Sequence, residues 1–489
     1  MTVLQSDDTL IIKAGIYNQY LHITVSGTAG HPITFSSEGY AAGGNPPNDG
    51  DVVIDQSGAG GDACDIDGQS YVDLNGVICK ANAQGTAHAL YAGSKGDYDH
   101  LPIIEGHDIN IRRVSAYDAY TNIHDNGGHA AVAQISGVET SANGGLSFGY
   151  NILLEDCIVY TPYGNGYIAI DSLSATNVTI RRCFAYTADP AIVFYETENS
   201  KMENNIAIYQ AGGSPYNVSH GMQINASSHD FGQDDQILGN MTIGADSGYT
   251  FYDGATISDR TGSGQRIGKN GVIKNNFVIN TNNAGILQNS GTGAVISNNT
   301  IVLKRTNIPA NPPSDFYVGL YLSPWTTDPI STTVANNSIV GNNRQADYGF
   351  AMDGSALTPT RQNNNIFNTY QPYGGSANPS AGSGDSATDP AYPVSTYGLG
   401  AYLDSSLSGI SGKGATILYE YQDGTLTGNH LWPWPMESRI VAELGSSGVI
   451  APLGLSVMDT IWPNGNYSGR YSGGGDTTPP AAPSGLNVS

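Results

Sequence analysis

Seven short segments in the middle of the chain share a pattern in which apolar and polar positions alternate. They are Asn165–Asp171, Pro190–Glu196, Ser219–Asn225, Ser247–Asp253, Asn283–Asn289, Tyr317–Ser323 and Asp347–Asp353. Their last residues lie between 25 and 36 positions apart. Alternation with a period of two indicates a β-strand. Recurrence at this spacing is typical of a β-solenoid, in which each coil covers the inner face of its neighbour.

A second repeat, an asparagine flanked by apolar residues, lies between these segments. Examples are Met202–Ile206, Ile273–Phe277, Ile296–Thr300 and Val334–Ser338. Stacking would place one residue of each coil in a single turn column, made of Cys157, Cys183, Asn205, Asn240, Asn276, Asn299, Asn337 and Asn365. Asparagine suits this place because it tolerates left-handed φ and its amide can bond to the stacked neighbour. We expect Cys157 and Cys183 to be stacked, buried thiols, because a disulfide between adjacent strands in register would be strained.

The asparagine column between two strands resembles the asparagine ladder of right-handed parallel β-helices in the pectate-lyase-like superfamily. The segment Leu10–Phe35 resembles the first coils of polysaccharide lyases with that fold. The resemblance covers roughly residues 9–370. It implies an all-β chain folded as a right-handed parallel β-helix with an asparagine ladder.

Three regions are predicted along the chain. Residues 1–393 form the β-helix, and residues 394–470 leave the repeat. Helical spacing in Met436–Leu444 predicts a short helix within a C-terminal cap. Residues 471–489 read as a linker and the start of a truncated domain, because Asp476–Ser489 resembles the first strand of a fibronectin type III domain. Because of this resemblance, we expect the natural protein to be a longer, secreted, modular chain. The first residues show neither the basic region nor the apolar core of a signal peptide.

The charge balance restricts the partners of the protein. Lys and Arg number 19 against 43 Asp and Glu, which gives a net charge of −24. Such an acidic chain is not expected to bind nucleic acid or an anionic membrane surface. No apolar run is long enough to span a bilayer. Four cysteines are too few for a disulfide scaffold. Together with 63 Gly and 30 Tyr, these features indicate an extracellular, monomeric protein.

In the resembling family, the outward face of the sheet formed by the seven segments binds polysaccharide. Alternation assigns the inward positions to Ile168, Ile170, Val193, Tyr195, Met222, Ile224, Thr250, Tyr252, Leu320, Leu322, Phe350 and Met352. The outward residues predicted to bind substrate are Tyr167, Phe194, Gln223, Tyr249, Phe251 and Tyr321. Aromatic faces stack on sugar rings, while amides bond to hydroxyl groups. The alternative is that long corner loops cover these side chains.

Two acidic residues in the same alignment predict a metal site. Asp171 and Glu196 would lie on adjacent coils, roughly 5 Å apart at the backbone. Two carboxylates at this short distance must share a proton, bind a cation or tolerate their mutual repulsion. Calcium is the natural cation because it prefers oxygen ligands in a flexible cage. Asp253 is too distant to share an ion with Asp171, and a solvated acidic edge is the alternative interpretation.

The resemblance favours a polysaccharide lyase that acts on a uronate-containing chain with calcium assistance. In β-elimination, a cation neutralises the C5 carboxylate and a base removes the C5 proton. Arg260 and Lys269, in the predicted loop after Asp253, form the cationic cluster nearest to the groove. His220 is a further candidate base.

Two other functions stay open. An inverting glycoside hydrolase could use Glu196 and Asp253, because its two carboxyl groups stand about 6.5–9.5 Å apart. A secreted β-helix beside a fibronectin-like domain could instead be a glycan-binding or adhesive module without catalysis.

Overall fold

The chain forms three parallel sheets of 12 strands each. The computed structural model describes residues 4–43, 49–58, 62–81, 88–97, 100–118, 131–136, 149–160, 168–187, 191–210, 220–226, 234–245, 255–261, 270–280, 284–288, 292–303, 317–323, 331–341, 347–354, 358–390, 419–420 and 426–427. Every strand pairs with the equivalent strand of each neighbouring coil, so the backbone advances by one coil for every three strands. The predicted right-handed parallel β-helix is confirmed.

The strands are grouped here by sheet, from the N-terminal coil to the C-terminal coil. Sheet 1 contains Thr9–Ile12, Ile33–Ser37, Ser70–Asn75, His107–Arg112, Gly149–Glu155, Ala175–Arg181, Lys201–Glu203, Gln236–Leu238, Val272–Lys274, Thr292–Ser297, Ser331–Ala335 and Thr360–Gln362. Sheet 2 contains Gly15–Tyr17, Val52–Asp55, Val77–Ala81, Ser115–Asp118, Ile158–Tyr160, Phe184–Thr187, Ile206–Gln210, Met241–Ala245, Phe277–Asn280, Thr300–Leu303, Ser338–Val340 and Asn365–Phe367. Sheet 3 contains Leu21–His22, Cys64–Asp67, Leu90–Gly93, Ala131–Ser136, Ile168–Leu173, Ile192–Tyr195, His220–Ala226, Ala255–Thr261, Ala284–Gln288, Tyr317–Leu322, Asp347–Met352 and Gln371–Gly374. We number the coils 1 to 12 in this order.

A few elements lie outside the three sheets. A helix at Glu38–Ala41 begins after Ser37, whose side chain accepts a hydrogen bond from the Tyr40 backbone N–H. Two antiparallel pairs join Lys95–Asp97 to His100–Ile104 and Tyr419–Glu420 to Leu426–Thr427. The predicted helix at Met436–Leu444 and the fibronectin-like Asp476–Ser489 lie outside the described residues. No helix in the described part of the chain is long and apolar enough to cross a membrane.

The inner faces of the sheets form one continuous apolar core. In sheet 1, Val72, Ile109 and Ile152 stand opposite one another on coils 3 to 5, and each is essentially fully buried. Branched residues suit this place because their side chains pack well on a pleated surface. Each such burial contributes about 1.5–3 kcal/mol, so stacking of the coils stabilises the fold even though no coil encloses a core alone.

The asparagine ladder is present. The left-handed conformation and the ladder hydrogen bonds, which were assigned to one residue from the sequence, belong to two consecutive residues of each turn. The first residue of each turn takes the left-handed conformation, as at Asn204 (φ 51°) and Asn275 (φ 58°). The second residue carries the ladder amide. The ladder runs through Asn205, Asn240, Asn276, Asn299, Asn337 and Asn364, and the carboxylate of Asp385 follows it.

The prediction of Asn365 as a ladder member is wrong by one position. The Oδ1 of Asn364 accepts hydrogen bonds from the backbone N–H and the side-chain amide of Asn337, at 3.1 and 2.9 Å. The side chain of Asn365 instead bonds to Ser386 and Thr388. Three consecutive asparagines at 363–365 made the position ambiguous in the sequence.

The four cysteines adopt two different states. Cys157 and Cys183 are free and buried, as predicted, and they occupy the turn position that asparagine takes in later coils. Cys64 and Cys79 form a disulfide that the sequence did not predict. This bond joins sheet 3 in coil 2 to sheet 2 in coil 3, so it links two neighbouring coils across the core.

Replacing Asn276 with alanine should destabilise the β-helix by about 3 kcal/mol, because buried polar groups would lose their partners. The Oδ1 of Asn276 accepts from the backbone and side-chain N–H groups of Asn240, at 2.9 and 3.1 Å. Its amide donates to the carbonyl of Ile237 at 2.9 Å. Urea unfolding followed by circular dichroism measures the loss.

The matched control for this variant is Asn110→Ala. The Asn110 amide bonds to Asp73 at 2.8 Å on the outer face of sheet 1, where it is only partly buried. Water can replace that bond, so we expect a small change in the free energy of unfolding. Equal losses in the two variants would contradict the role given to the ladder.

Candidate functional site

One line of side chains crosses the outer face of sheet 3. Asp171 stands opposite Gln134 on coil 4 and Val193 on coil 6, and Val193 stands opposite Gln223 on coil 7. The flanking residue Ile170 packs in the core, so alternation turns this line outward. We call it the outer column. It comprises Gln134, Asp171, Val193, Gln223, Leu287, Tyr321 and Ala351, and the backbone of Ser258 holds the register between Gln223 and Leu287.

The predicted register is wrong for coil 6. Ile192 and Phe194 pack in the core, whereas Val193 lies in a separate outer cluster with Ala131 and Ile168 and with Tyr195 packed against it. Phe194 is fully buried in the core, so its predicted role in substrate binding is also wrong. The register of this strand is shifted by three residues, so that Val193 rather than Glu196 stands opposite Asp171. Because side chains alternate, a shift by an odd number of residues moves every side chain of a strand to the other face.

The predicted strand is also wrong for coil 8. The strand of sheet 3 in this coil is Ala255–Thr261, which pairs with His220–Ala226 on one side and Ala284–Gln288 on the other. The predicted segment Ser247–Asp253 lies outside the described residues. Its site residues, Tyr249, Phe251 and Asp253, therefore lie outside them too, as do Tyr167 and Lys269. Arg260 belongs to the strand rather than to a loop.

The environment of Asp171 is unusual for an acidic residue. Its side chain is fully buried, and neither carboxyl oxygen has a hydrogen-bond partner among the residues that the structure describes. Burial raises the pKa of Asp171 to about 8. A buried carboxylate without a partner is costly, so the group keeps its proton at neutral pH. Buried polar groups without partners are rare in folded proteins, and strongly shifted pKa values concentrate at functional sites.

The predicted calcium pair does not form. Asp171 stands opposite Val193, whereas Glu196 lies three residues further along, in the turn after the strand, with φ 56°. Strand geometry separates the two Cα atoms by about 11 Å. Calcium takes 6–8 oxygen ligands, so Asp171 alone does not supply a calcium site. The premise of two directly stacked carboxylates is therefore wrong.

The predicted catalytic residues on coils 7 and 8 are not brought together. His220 pairs with Ala255 at one end of the strands, and Arg260 pairs with Asn225 near the other end. This register separates the Cα atoms of His220 and Arg260 by about 17 Å. They are therefore too far apart to act on the same sugar unit.

The outer column is buried rather than open to solvent. Gln223 is 5% exposed and Tyr321 is 9% exposed. The Tyr321 hydroxyl donates a hydrogen bond to the carboxylate of Asp353. Tyr321 is therefore a covered side chain, which is the alternative to an open aromatic groove that binds sugar. A substrate that reaches Asp171 has to displace the surface that buries it.

Sequence reasoning missed Gln134, which lies directly beside Asp171 and is 8% exposed. Its strand, Ala131–Ser136, precedes the first of the seven aligned segments. The signal was the short run of small and apolar residues interrupted by one glutamine, which is typical of a strand with one polar outward position.

No protein-family model and no curated protein matches the chain. Among solved structures, it is similar to the Dettilon tailspike protein gp208, with 13% identity, a TM-score of 0.48 and coverage of 78% of this chain and 60% of that one. It is similar to the A-module of the Azotobacter vinelandii mannuronan C-5 epimerase AlgE6, with 14% identity, a TM-score of 0.44 and coverage of 78% and 91%. It is also similar to the GH87 α-1,3-glucanase of Streptomyces thermodiastaticus, with 12% identity, a TM-score of 0.43 and coverage of 79% and 62%.

Proposed function

We propose that this protein is a secreted enzyme that cleaves a uronate-containing polysaccharide by β-elimination on the outer face of sheet 3. The observation that supports the proposal is the unionised carboxyl group of Asp171, which is buried without a partner. An ionised carboxylate at this place would repel the substrate carboxylate. An unionised one can donate a hydrogen bond to it.

The elimination needs exactly this kind of donor, because removal of the C5 proton moves negative charge onto the substrate carboxylate. A protonated acid in a water-excluded site stabilises such an enolate by hydrogen bonding. The electrons of the C5–H bond then form the C4–C5 double bond. The bond from C4 to the glycosidic oxygen breaks. The base keeps the C5 proton, and the leaving oxygen takes a proton from water. Asp171 therefore takes the role that the sequence had assigned to calcium.

The candidate base is Glu196, which among the predicted catalytic residues in the described chain stands nearest to Asp171, at about 11 Å between Cα atoms. His220 is about 14 Å away and Arg260 about 16 Å away. We assign to Arg260 the binding of a neighbouring uronate unit of the same polysaccharide. Gln223, two coils from Asp171 in the outer column, would bond to sugar hydroxyl groups.

Hydrolysis is the second candidate, and the same pair of residues favours it. An unionised carboxyl group is the general acid that glycoside hydrolysis requires, and the second carboxyl group would activate a water molecule. The backbone spacing of Asp171 and Glu196 is compatible with the 6.5–9.5 Å between carboxyl groups in inverting enzymes. This pair replaces the predicted pair of Glu196 and Asp253.

The disulfide between Cys64 and Cys79 supports the proposed secretion. Disulfides form and persist in oxidising compartments such as the extracellular space, and they are rare in the cytosol.

An assay of the products distinguishes the candidate functions. The protein is incubated with a panel of acidic and neutral polysaccharides, and ultraviolet absorbance and reducing ends are both recorded. We expect absorbance from the new C4–C5 double bond on a uronate polymer, unchanged by a calcium chelator. New reducing ends without that absorbance would overturn elimination in favour of hydrolysis. Binding to a polysaccharide without either product would overturn catalysis and favour a glycan-binding module.

A further inference from the structure

Three metal-ligating side chains come together at the N-terminal end of the outer face of sheet 3. They are His22 on coil 1 and Asp65 and Asp67 on coil 2, and their ligand atoms all lie within 4.8 Å of one another. Within the described part of the chain, no other group of three such residues meets this geometry. The cluster lies three coils from Asp171, so it is distinct from the site proposed for cleavage.

The register and the alternation of two strands create this cluster. His22 stands directly opposite Asp65. In the strand Cys64–Asp67, Cys64 and Ile66 are fully buried in the core, so Asp65 and Asp67 both point outward. The disulfide of Cys64 holds this strand against sheet 2 of the next coil. The two carboxylates are therefore presented by a rigid element.

The distances suit metal ligands, and they are long for the hydrogen bond between His22 and Asp67. The Nε2 of His22 is 3.6 Å from the Oδ2 of Asp65 and 3.4 Å from the Oδ1 of Asp67. Protein hydrogen bonds with a nitrogen donor are usually 2.7–3.2 Å long. Ligands about 2.0–2.1 Å from a tetrahedral zinc ion lie roughly 3.3 Å from one another. An ion can enter between these atoms with little rearrangement.

The surroundings orient the ligands and leave the cluster with excess negative charge. The other oxygen of Asp65, Oδ1, accepts a hydrogen bond from the Asp67 backbone N–H at 3.0 Å, which turns Oδ2 toward His22. Such bonds to the far side of a ligand are typical of metal sites. The Asp65 and Asp67 side chains are 15% and 17% exposed, and that of His22 is 29% exposed. An ion can therefore enter from solvent.

We propose that His22, Asp65 and Asp67 bind one divalent transition-metal ion. One imidazole nitrogen and two carboxylate oxygens suit an ion such as zinc, with solvent or a further ligand at the fourth position. His22 belongs to the first coil and both aspartates to the second. The ion would therefore fasten the N-terminal coil to the rest of the β-helix.

Isothermal titration of the metal-free protein with Zn²⁺ tests this proposal without any assay of activity. We expect one ion to bind per chain. His22→Gln and Asp65→Asn should each weaken binding at least about 10-fold, because changes even to outer partners of metal ligands cost that much. Thermal unfolding with and without Zn²⁺ should show stabilisation of the wild type that both variants lose.

Asp108→Asn is the matched control. Asp108 lies 2.7 Å from the Nδ1 of His107, a histidine–aspartate pair that belongs to no group of three metal-ligating residues in the described chain. This variant should bind zinc as tightly as the wild type. The proposal is overturned if the wild type binds no zinc, or if both His22→Gln and Asp65→Asn bind it as the wild type does.

Discussion

Replacing Asp171 with asparagine should lower the rate of polysaccharide cleavage by about 100-fold or more. Asparagine keeps the size and shape of the side chain but lacks the acidic proton that would stabilise the enolate or protonate the leaving oxygen. The loss should appear in kcat, because the interaction strengthens only in the transition state. The rate of double-bond formation on the substrate identified by the product assay measures it.

The control for activity is Asp108→Asn, a change of the same chemistry on sheet 1. Asp108 contacts His107 and lies far from the outer column, so kcat should stay close to that of the wild type. Wild-type kcat in the Asp171→Asn variant would contradict the proposed role of Asp171.

The same variant should change how stability depends on pH. Burial raises the pKa of Asp171 to about 8 in the folded chain, well above its value in the unfolded chain. The contribution of protonated Asp171 to the free energy of unfolding is therefore fully present below about pH 4 and is lost as the pH rises through about 8. Asparagine is neutral throughout, so the variant should exceed the wild type by a few kcal/mol at pH 9. Urea unfolding at pH 5 and pH 9 measures the difference, and parallel pH profiles would contradict the burial of the charge.

Replacing Glu155 with glutamine should destabilise the protein by roughly 3–5 kcal/mol, because it removes a buried carboxylate that three arginine side chains share. Glu155 is the last residue of the sheet 1 strand Gly149–Glu155, and it is fully buried. It accepts hydrogen bonds from Arg112 at 3.2 Å, from Arg181 at 3.0 Å and from Arg182. Glutamine keeps the shape, so the loss reports on charge rather than on a cavity.

The pH dependence of this loss has a defined sign. Burial acts to raise the pKa of Glu155, but Arg182, Arg181 and Arg112 outweigh it and lower the pKa. The stability it contributes is therefore present at neutral pH and is lost as the pH falls through its folded-state pKa. The difference in free energy of unfolding between wild type and Glu155→Gln should shrink in acid.

Glu38→Gln is the control for Glu155. Glu38 pairs with Lys13 at 2.5 Å, but both side chains are largely exposed, at 42% and 73%. Exposed pairs contribute little to stability, so no measurable change is expected. An equally small effect at Glu155 would contradict the role given to the buried network.

The repeat period and the asparagine turns were sufficient to predict the β-helix, because both follow from stacking of equivalent coils. They did not determine the register of every strand. In coil 6, Ile192, Val193, Phe194 and Tyr195 are all apolar, so alternation carried no signal there. The left-handed conformation of Glu196, which ends the strand, could not be recognised from its residue type.

The candidate site depended on that register, which explains why it was predicted only in part. Asp171 was identified correctly as an outward carboxyl group, but its partner was not, because a three-residue shift of the register placed Val193 opposite it instead of Glu196. His22 and Asp65 are separated by 43 positions in the sequence, and only the stacking of coils 1 and 2 brings them together. The alternation of buried and acidic residues in Cys64–Asp67 was the available signal.

Infrared titration of the wild type and the Asp171→Asn variant tests the central claim most directly, because it observes the carboxyl group itself. We expect the wild type to show a protonated carboxyl band at neutral pH that disappears with a midpoint of about 8. Other carboxyl groups protonate in acid, so the band of Asp171 is read from the difference between the two spectra, which should be present at pH 7 and vanish above about pH 8. If the two proteins show the same spectrum at pH 7, Asp171 is already ionised, and its proposed role as the hydrogen-bond donor to the substrate is contradicted.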